Sequence, residues 1–158
     1  MPTPGSQAAD CIFCAIIRGD APATYVHRDE LVVAFMDIRP VQPGHLLVVP
    51  RVHAKLVPEL DGRNLARLWS VATDLNRALR ASPLPVEAVS VYVADGDAAG
   101  QEVAHVHIHL IPRRVHDGFG FRFPPGYGTE PGRAELETIA GRIRPGLVPQ
   151  SGAEPHEP

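Results

Sequence analysis

The stretch His105-Val106-His107-Ile108-His109-Leu110-Ile111-Pro112-Arg113 alternates imidazoles with branched apolar residues over its first six positions. In an extended strand successive side chains point to opposite faces. One face therefore carries the three histidines, and the other carries Val106, Ile108 and Leu110. This pattern predicts a strand over residues 103–111 with its apolar face on a core. The histidine face admits three readings. It is a solvated face, although such faces more commonly carry Lys, Glu and Thr. It is a three-histidine metal site, although same-face neighbours lie roughly 6.5–7 Å apart along a strand, too far to converge within ~2 Å of one ion. Or it is a nucleophilic centre, in which a neutral central imidazole attacks an electrophile while its neighbours bind charge and move protons.

Outward from this strand, the remaining pattern is that of an α+β layer fold. Short apolar stretches at 25–27, 31–37, 45–49 and 88–94 read as further strands, making a five-stranded sheet. The links between most of them are short, which favours antiparallel pairing with helices packed on one face. Leu65, Leu68, Trp69, Ala72, Leu75 and Leu79 recur at steps of three and four, the stripe of a long amphipathic helix. Asp61 is placed to cap that helix and Ser82-Pro83 to end it. A short helix is expected over 11–17, capped by Asp10 and stopped at Gly19. A last helix is expected over 133–144, with Leu136, Ile139, Ala140 and Ile143 on one face.

Composition narrows the function classes. The 158 residues make one ordinary domain, expected over 10–144, with Pro/Gly/polar tails at 1–9 and 145–158. A net charge of −3 argues against a bulk phosphate-backbone binder, so no direct nucleic-acid partner is expected. The longest unbroken apolar run is seven residues, 11–17, far short of the ~20 that cross a membrane. The first residues have neither the basic nor the apolar region of a signal peptide. Two cysteines cannot make a secreted disulfide framework. A cytoplasmic protein is expected.

Four blocks in order carry a resemblance to the histidine triad (HIT) family of nucleotide hydrolases and transferases. They are Cys11-Ile12-Phe13-Cys14 with Ile16; Phe35-Met36-Asp37-Ile38-Arg39-Pro40; Pro43-Gly44-His45-Leu46-Leu47-Val48-Val49-Pro50-Arg51; and the run from Gly100 to Arg113. The resemblance implies that His107 is the nucleophile that attacks the α-phosphorus and forms a nucleotidyl-histidine. It implies that His109 contacts the phosphate and assists the leaving group, and that His45 lies behind the triad and orients it. Asp37 matches the carboxylate that holds the ribose hydroxyls. Phe13, Ile16, Phe35 and Ile38 match the apolar cleft for the base, although each also suits a plain core. Gln101 matches a polar contact to the phosphate or leaving group. His27, His116 and His156 read as surface or tail residues.

Cys11-x-x-Cys14 is a separate signal. On a helix two residues at i and i+3 share a face, so the pair is a redox motif, two core thiols or half of a metal site. The chain resembles a bacterial subset of the family in which two such cysteines, a histidine at the position of His53 and the first triad histidine, His105, form a structural zinc site. Two departures stand out. Ala94 occupies a position where many members have Asn or Gln, and Glu102 one where Ser or Thr is common. A carboxylate there repels phosphate unless it is turned away or paired.

The favoured reading is an enzyme that hydrolyses a nucleoside 5′-phosphoramidate, acyl-nucleotide or dinucleoside polyphosphate to a nucleoside monophosphate. The alternative is a slow or non-catalytic purine-nucleotide sensor, which Ala94 and Glu102 favour. A metal-dependent hydrolase with zinc at the triad is a third. A homodimer is expected, because Val89, Val91 and Val93 alternate with Ser90, Tyr92 and Ala94, leaving both faces of that strand largely apolar. By family analogy Phe119, Phe121, Phe123 and Tyr127 lie near a substrate cleft.

Overall fold

The computed structural model of the chain describes residues 10–147. The expected tail at 1–9 and residues 148–158 of the tail expected over 145–158, His156 with them, lie outside the described residues. Residues 145 and 146 belong to a 3-10 turn, Arg144–Gly146. The chain divides between Phe119 and Gly120 into two compact units.

The first unit is built on a five-stranded antiparallel sheet. Its strands are β1 (Tyr25–Arg28), β2 (Val32–Met36), β3 (Leu46–Pro50), β4 (Ala88–Tyr92) and β5 (Ile108–Arg113), in the spatial order β1-β2-β3-β5-β4. The tight link between β1 and β2 is held by Asp29, which accepts from the Leu31 and Val32 N–H groups at 2.8 Å each. Between β2 and β3 the chain turns at Gly44, whose φ of +93° suits glycine; a Cβ there would meet Leu84 Cδ1 at 2.8 Å.

The sheet is covered on both faces, which corrects the expected one-sided packing. Val32, Ala34, Leu46, Val48, Ile108 and Leu110 form a core with the long helix α2 (Gly62–Ala81). The alternate residues Val33, Phe35, Leu47 and Val49 form a second core with the short helix α1 (Ile12–Arg18). An all-apolar run such as 11–17 carries no stripe from which its face could be read. Asp10 does not cap α1: Cys11 holds that position without a side-chain hydrogen bond, and Gly19, at φ 89°, closes the other end as expected. Asp61 caps α2 by accepting from the Asn64 N–H at 2.8 Å. The buried stripe of α2 is Leu68, Val71, Ala72, Leu75 and Leu79. Trp69, expected on it, is 45% exposed.

The histidine segment differs from the expected strand at its start. Ladder pairing begins at Ile108, so only His109 of the three histidines lies within β5. The cause is local. Pro50, at the end of β3, has no N–H to donate, and its carbonyl accepts instead from the His105 ring at 2.9 Å. Residues 103–107 turn away, and the Val106 N–H bonds to the Ala54 carbonyl at 2.8 Å. The alternation of faces nevertheless persists. Val106, Ile108 and Leu110 lie in the α2 core, while His109 sits opposite Leu47, a residue of the α1 side.

In the second unit, Phe123 stacks on Tyr127 with ring centroids 3.9 Å apart, and α3 (Arg133–Ile143) follows. Leu136, Ile139 and Ile143 of α3 are exposed. Among the described residues no helix is long and apolar enough to cross a membrane.

Candidate active site

A cleft of about 720 Å³ opens in the first unit where α1, β2, β3 and the histidine segment meet. One end is apolar: Ile12, Phe13 and Ile16 of α1 face Phe35, Leu47 and the exposed rim residue Ile38, with Ala21-Pro22-Ala23 closing the floor. The other end is polar, with Asp37, His45, His107, His109, Glu102 and Tyr92 on its walls. The structure thus brings Phe13, Ile16, Phe35, Ile38, Asp37, His45, His107 and His109 to one cavity. Ile12, Val103, Tyr92 and the 21–23 segment were not singled out from sequence. Ile12 was within reach, four residues before Ile16 on one helix face; Tyr92 was not, because it arrives by pairing with His109 across β4 and β5.

Hydrogen bonds fix the state of each ring. His107 Nδ1 lies 2.7 Å from the His105 carbonyl, which can only accept, so Nδ1 carries the proton and Nε2 keeps a lone pair. The Phe13 ring meets His107 edge-on at 5.1 Å and holds its plane. The Val41 N–H donates to His45 Nδ1 at 3.2 Å, so the proton of His45 is on Nε2, 3.0 Å from His109 Nδ1. His109 in turn carries its hydrogen on Nε2. Asp37 lies beside the pair, its Oδ2 3.6 Å from His45 Nδ1 and its Oδ1 accepting from the Arg39 N–H at 2.7 Å. Burial pushes His109 down to about 4, with His107 and His45 beside it adding to the effect, and burial also lowers His45 and His107. Burial thus favours the neutral form of all three rings, the form in which an imidazole nitrogen can act as a nucleophile.

His105 has another partner set. Its Nε2–H donates to the Pro50 carbonyl at 2.9 Å, which turns the Nδ1 lone pair toward Cys11 Sγ and Cys14 Sγ, each 3.5 Å away. His53 Nδ1 lies 3.3 Å from Cys14 Sγ, and its buried Nε2 makes no hydrogen bond. One donor atom from each of Cys11, Cys14, His53 and His105 falls within 4.8 Å of all the others, a set that fits a four-coordinate metal ion. Burial pushes the Cys14 thiol up to about 11, with Cys11 next to it adding to the rise, so a thiol proton must leave when a metal enters.

Two expectations change. Gln101 does not line the cleft: its Oε1 accepts from the Gly96 N–H at 2.9 Å and its Nε2 donates to the Lys55 carbonyl at 2.8 Å, so the amide ties two loops together. Glu102 lines the cleft but is paired, its Oε2 2.8 Å from an Arg39 nitrogen. Ala94 is buried and does not line the cleft. Of the aromatic residues after the triad, Phe119 lines the cleft under the Arg113 guanidinium. His27 is half-buried and lies 2.8 Å from Asp29.

Comparison with known proteins gives concordant matches. A sequence model of the HIT domain matches residues 18–116. A HIT-like protein of Borreliella burgdorferi is 42% identical over 114 residues, 72% of this chain and 82% of that one. An adenosine 5′-monophosphoramidase of Schizosaccharomyces pombe is 36% identical over 115 residues, 72% of this chain and 83% of its own length. The crystal structure of a HIT family member from Bacillus subtilis superposes with a TM-score of 0.81 at 34% identity, covering 89% of this chain and 99% of that one. A zinc-bound histidine triad family protein from Mycobacterium smegmatis superposes with a TM-score of 0.68 at 33% identity, covering 89% and 99%.

Proposed function

The chain belongs to the histidine triad (HIT) family, and from that premise we propose that it is a nucleotide hydrolase acting at an α-phosphate through His107. The observation that carries this reading is the 2.7 Å bond from His107 Nδ1–H to the His105 carbonyl, which leaves a neutral Nε2 lone pair on the wall of the cleft. Substrates of this reading are nucleoside 5′-phosphoramidates, acyl-nucleotides or dinucleoside polyphosphates. A purine base enters the apolar end between Phe13, Ile16, Phe35 and Ile38, and Asp37 accepts from the ribose hydroxyls. His107 Nε2 attacks the phosphorus, and the departing group takes a proton through His109 Nε2–H, held in line by His45. Water then cleaves the nucleotidyl-histidine and releases the nucleoside monophosphate. The relation to an adenosine 5′-monophosphoramidase supports this chemistry.

A structural zinc ion held by Cys11, Cys14, His53 and His105 is part of the proposal. Zinc bonds of ~2.3 Å to sulfur and ~2.0–2.1 Å to nitrogen give tetrahedral S···N edges of about 3.5 Å. The separations here are 3.3, 3.5 and 3.5 Å. Such an ion supplies folding energy and a fixed position for His105. Of the two features that favour a non-catalytic sensor, Glu102 is paired with Arg39 and Ala94 lies outside the cleft. The free thiols Cys11 and Cys14 suit a reducing cytoplasm, where they stay available as ligands. The experiment is turnover of a panel of adenosine and guanosine phosphoramidates, acyl-nucleotides and dinucleoside polyphosphates, with a pre-steady-state burst of leaving group expected. No release of nucleoside monophosphate from any of them defeats the reading.

A further inference from the structure

Glu102 stands on a wall shared by two adjoining depressions. One is the cleft described above. The other, about 470 Å³, is lined on its far side by Asp10 and Lys55, and the two share Ile12, Glu102 and Val103. In the proposed function the base takes the apolar end and the phosphorus lies beside His107, so a group attached beyond the phosphorus meets the polar walls of the cleft, Glu102 among them.

The charges there are uneven. Among the described residues, the Lys and Arg side chains lining the two depressions are Arg39 and Lys55, and the carboxylates are Asp10, Asp37 and Glu102. Both cations are already engaged, Arg39 with Glu102 at 2.8 Å and Lys55 with Asp97 at 3.9 Å. A polyphosphate leaving group brings several further negative charges and meets no uncommitted lysine or arginine. An ammonium group meets the opposite situation. A carboxylate offers about four lone-pair sites on two oxygens, and the one contact to Arg39 leaves Glu102 room to accept from a second cation.

We propose that Glu102 selects the leaving group, and that the preferred substrates are nucleoside 5′-phosphoramidates of amines bearing a second, protonated amino group. This rests on the nucleotide-hydrolase reading and names its substrate class. In the step, the bond from His107 Nε2 to phosphorus forms as the P–N bond breaks. The amine nitrogen leaves with the bonding pair and takes a proton through His109, which recovers one from water. The distal ammonium stays on Glu102 throughout. An exposed, charge-assisted contact of this kind is worth about tenfold at low salt and is screened as salt rises.

The test compares kcat/KM of the zinc-loaded full chain for four compounds. They are adenosine 5′-phosphoramidates of butylamine, of 1,4-diaminobutane and of a 4-aminobutyrate of matched length, and diadenosine tetraphosphate. The expected order is diamine, then butylamine, then aminobutyrate and tetraphosphate, with the diamine ahead of butylamine by about tenfold at low salt and by less at 0.5 M. Glu102→Gln should bring the diamine-to-butylamine ratio to about one, while Arg39→Gln, which frees Glu102, should keep or raise it. If Glu102 merely held Arg39 in place, both variants would slow all compounds alike and leave the ratio unmoved, which overturns the inference. A wild-type ratio near one with turnover intact overturns it and leaves the hydrolase reading standing. Hydrolysis of none of the four overturns both.

Discussion

His107 donates its Nδ1–H to the main-chain carbonyl of His105 at 2.7 Å, so a residue of the Cys/His cluster also sets the tautomer of the residue in the cleft. A backbone acceptor is a durable means to this end, since no side-chain substitution at 105 removes it. His107 therefore keeps its lone pair at Nε2. His107→Ala removes that nitrogen while Asp37 and the apolar end of the cleft remain. Turnover should fall by about a thousandfold or more, while affinity for adenosine monophosphate stays within about threefold. Labelled nucleotide trapped on any histidine other than His107 would overturn the assignment.

The Cys/His cluster reaches the cleft by two routes, through His105 and through α1 with its cap residue, where Cys11 and Cys14 interleave with Ile12, Phe13 and Ile16. A helix of seven residues without a side-chain cap is not stable by itself. The purified protein should hold about one zinc per chain by elemental analysis. Cys14→Ser should reduce that content and lower the melting temperature by about 10 °C or more, because structural zinc binding is coupled to folding. It should also weaken nucleotide binding, since the apolar wall loses its anchor. A metal-free wild-type protein would show the cysteines to be ordinary core residues.

Asp29 makes a pH-dependent contribution to stability. Burial disfavours its ionised form, but His27, the Leu31 and Val32 N–H groups and Arg67 outweigh burial and hold its carboxyl well below the usual carboxylate range. A group lowered in the folded state stabilises the protein above its unfolded pKa of ~3.9 and loses that contribution as pH falls toward the folded value. Asp29→Asn should therefore cost about 1–2 kcal/mol at pH 7 and less at pH 3. Denaturant unfolding at the two pH values measures this, and equal losses at both would exclude the linkage.

Much of this architecture was legible because its periods are local. Alternation at 105–110 placed the histidines on one side and Val106, Ile108 and Leu110 on the other, and the Asp61 cap and Gly19 stop follow from single-residue chemistry. What escaped depends on partners distant in sequence. The start of β5 is decided by Pro50, 55 residues before His105, through its missing N–H and its engaged carbonyl. Gln101 offers the same amide to a phosphate or to a loop, and only the placement of Gly96 and Lys55 shows which groups hold it. Trp69 fits a helical stripe as well as Val71 does, and the packing partner decides which is buried.

That choice bears on oligomeric state. β4 is an edge strand of the sheet, and such edges invite association unless covered or charged. Here the edge is not charged: Val91 is 43% exposed, and on α2 Trp69 is 45% exposed. An aromatic and a branched apolar residue left about half exposed each forgo about 1 kcal/mol of burial, and a two-fold partner recovers it for two chains at once. The protein should therefore be a homodimer, and light scattering at micromolar concentration should give about twice the 17.1 kDa of one chain. Val91→Lys places a charge on the edge and should shift the mass toward the monomer without unfolding the chain, as circular dichroism would verify. A wild-type mass equal to one chain would defeat the dimer, and a Val91→Lys protein that stays dimeric would move the interface away from β4.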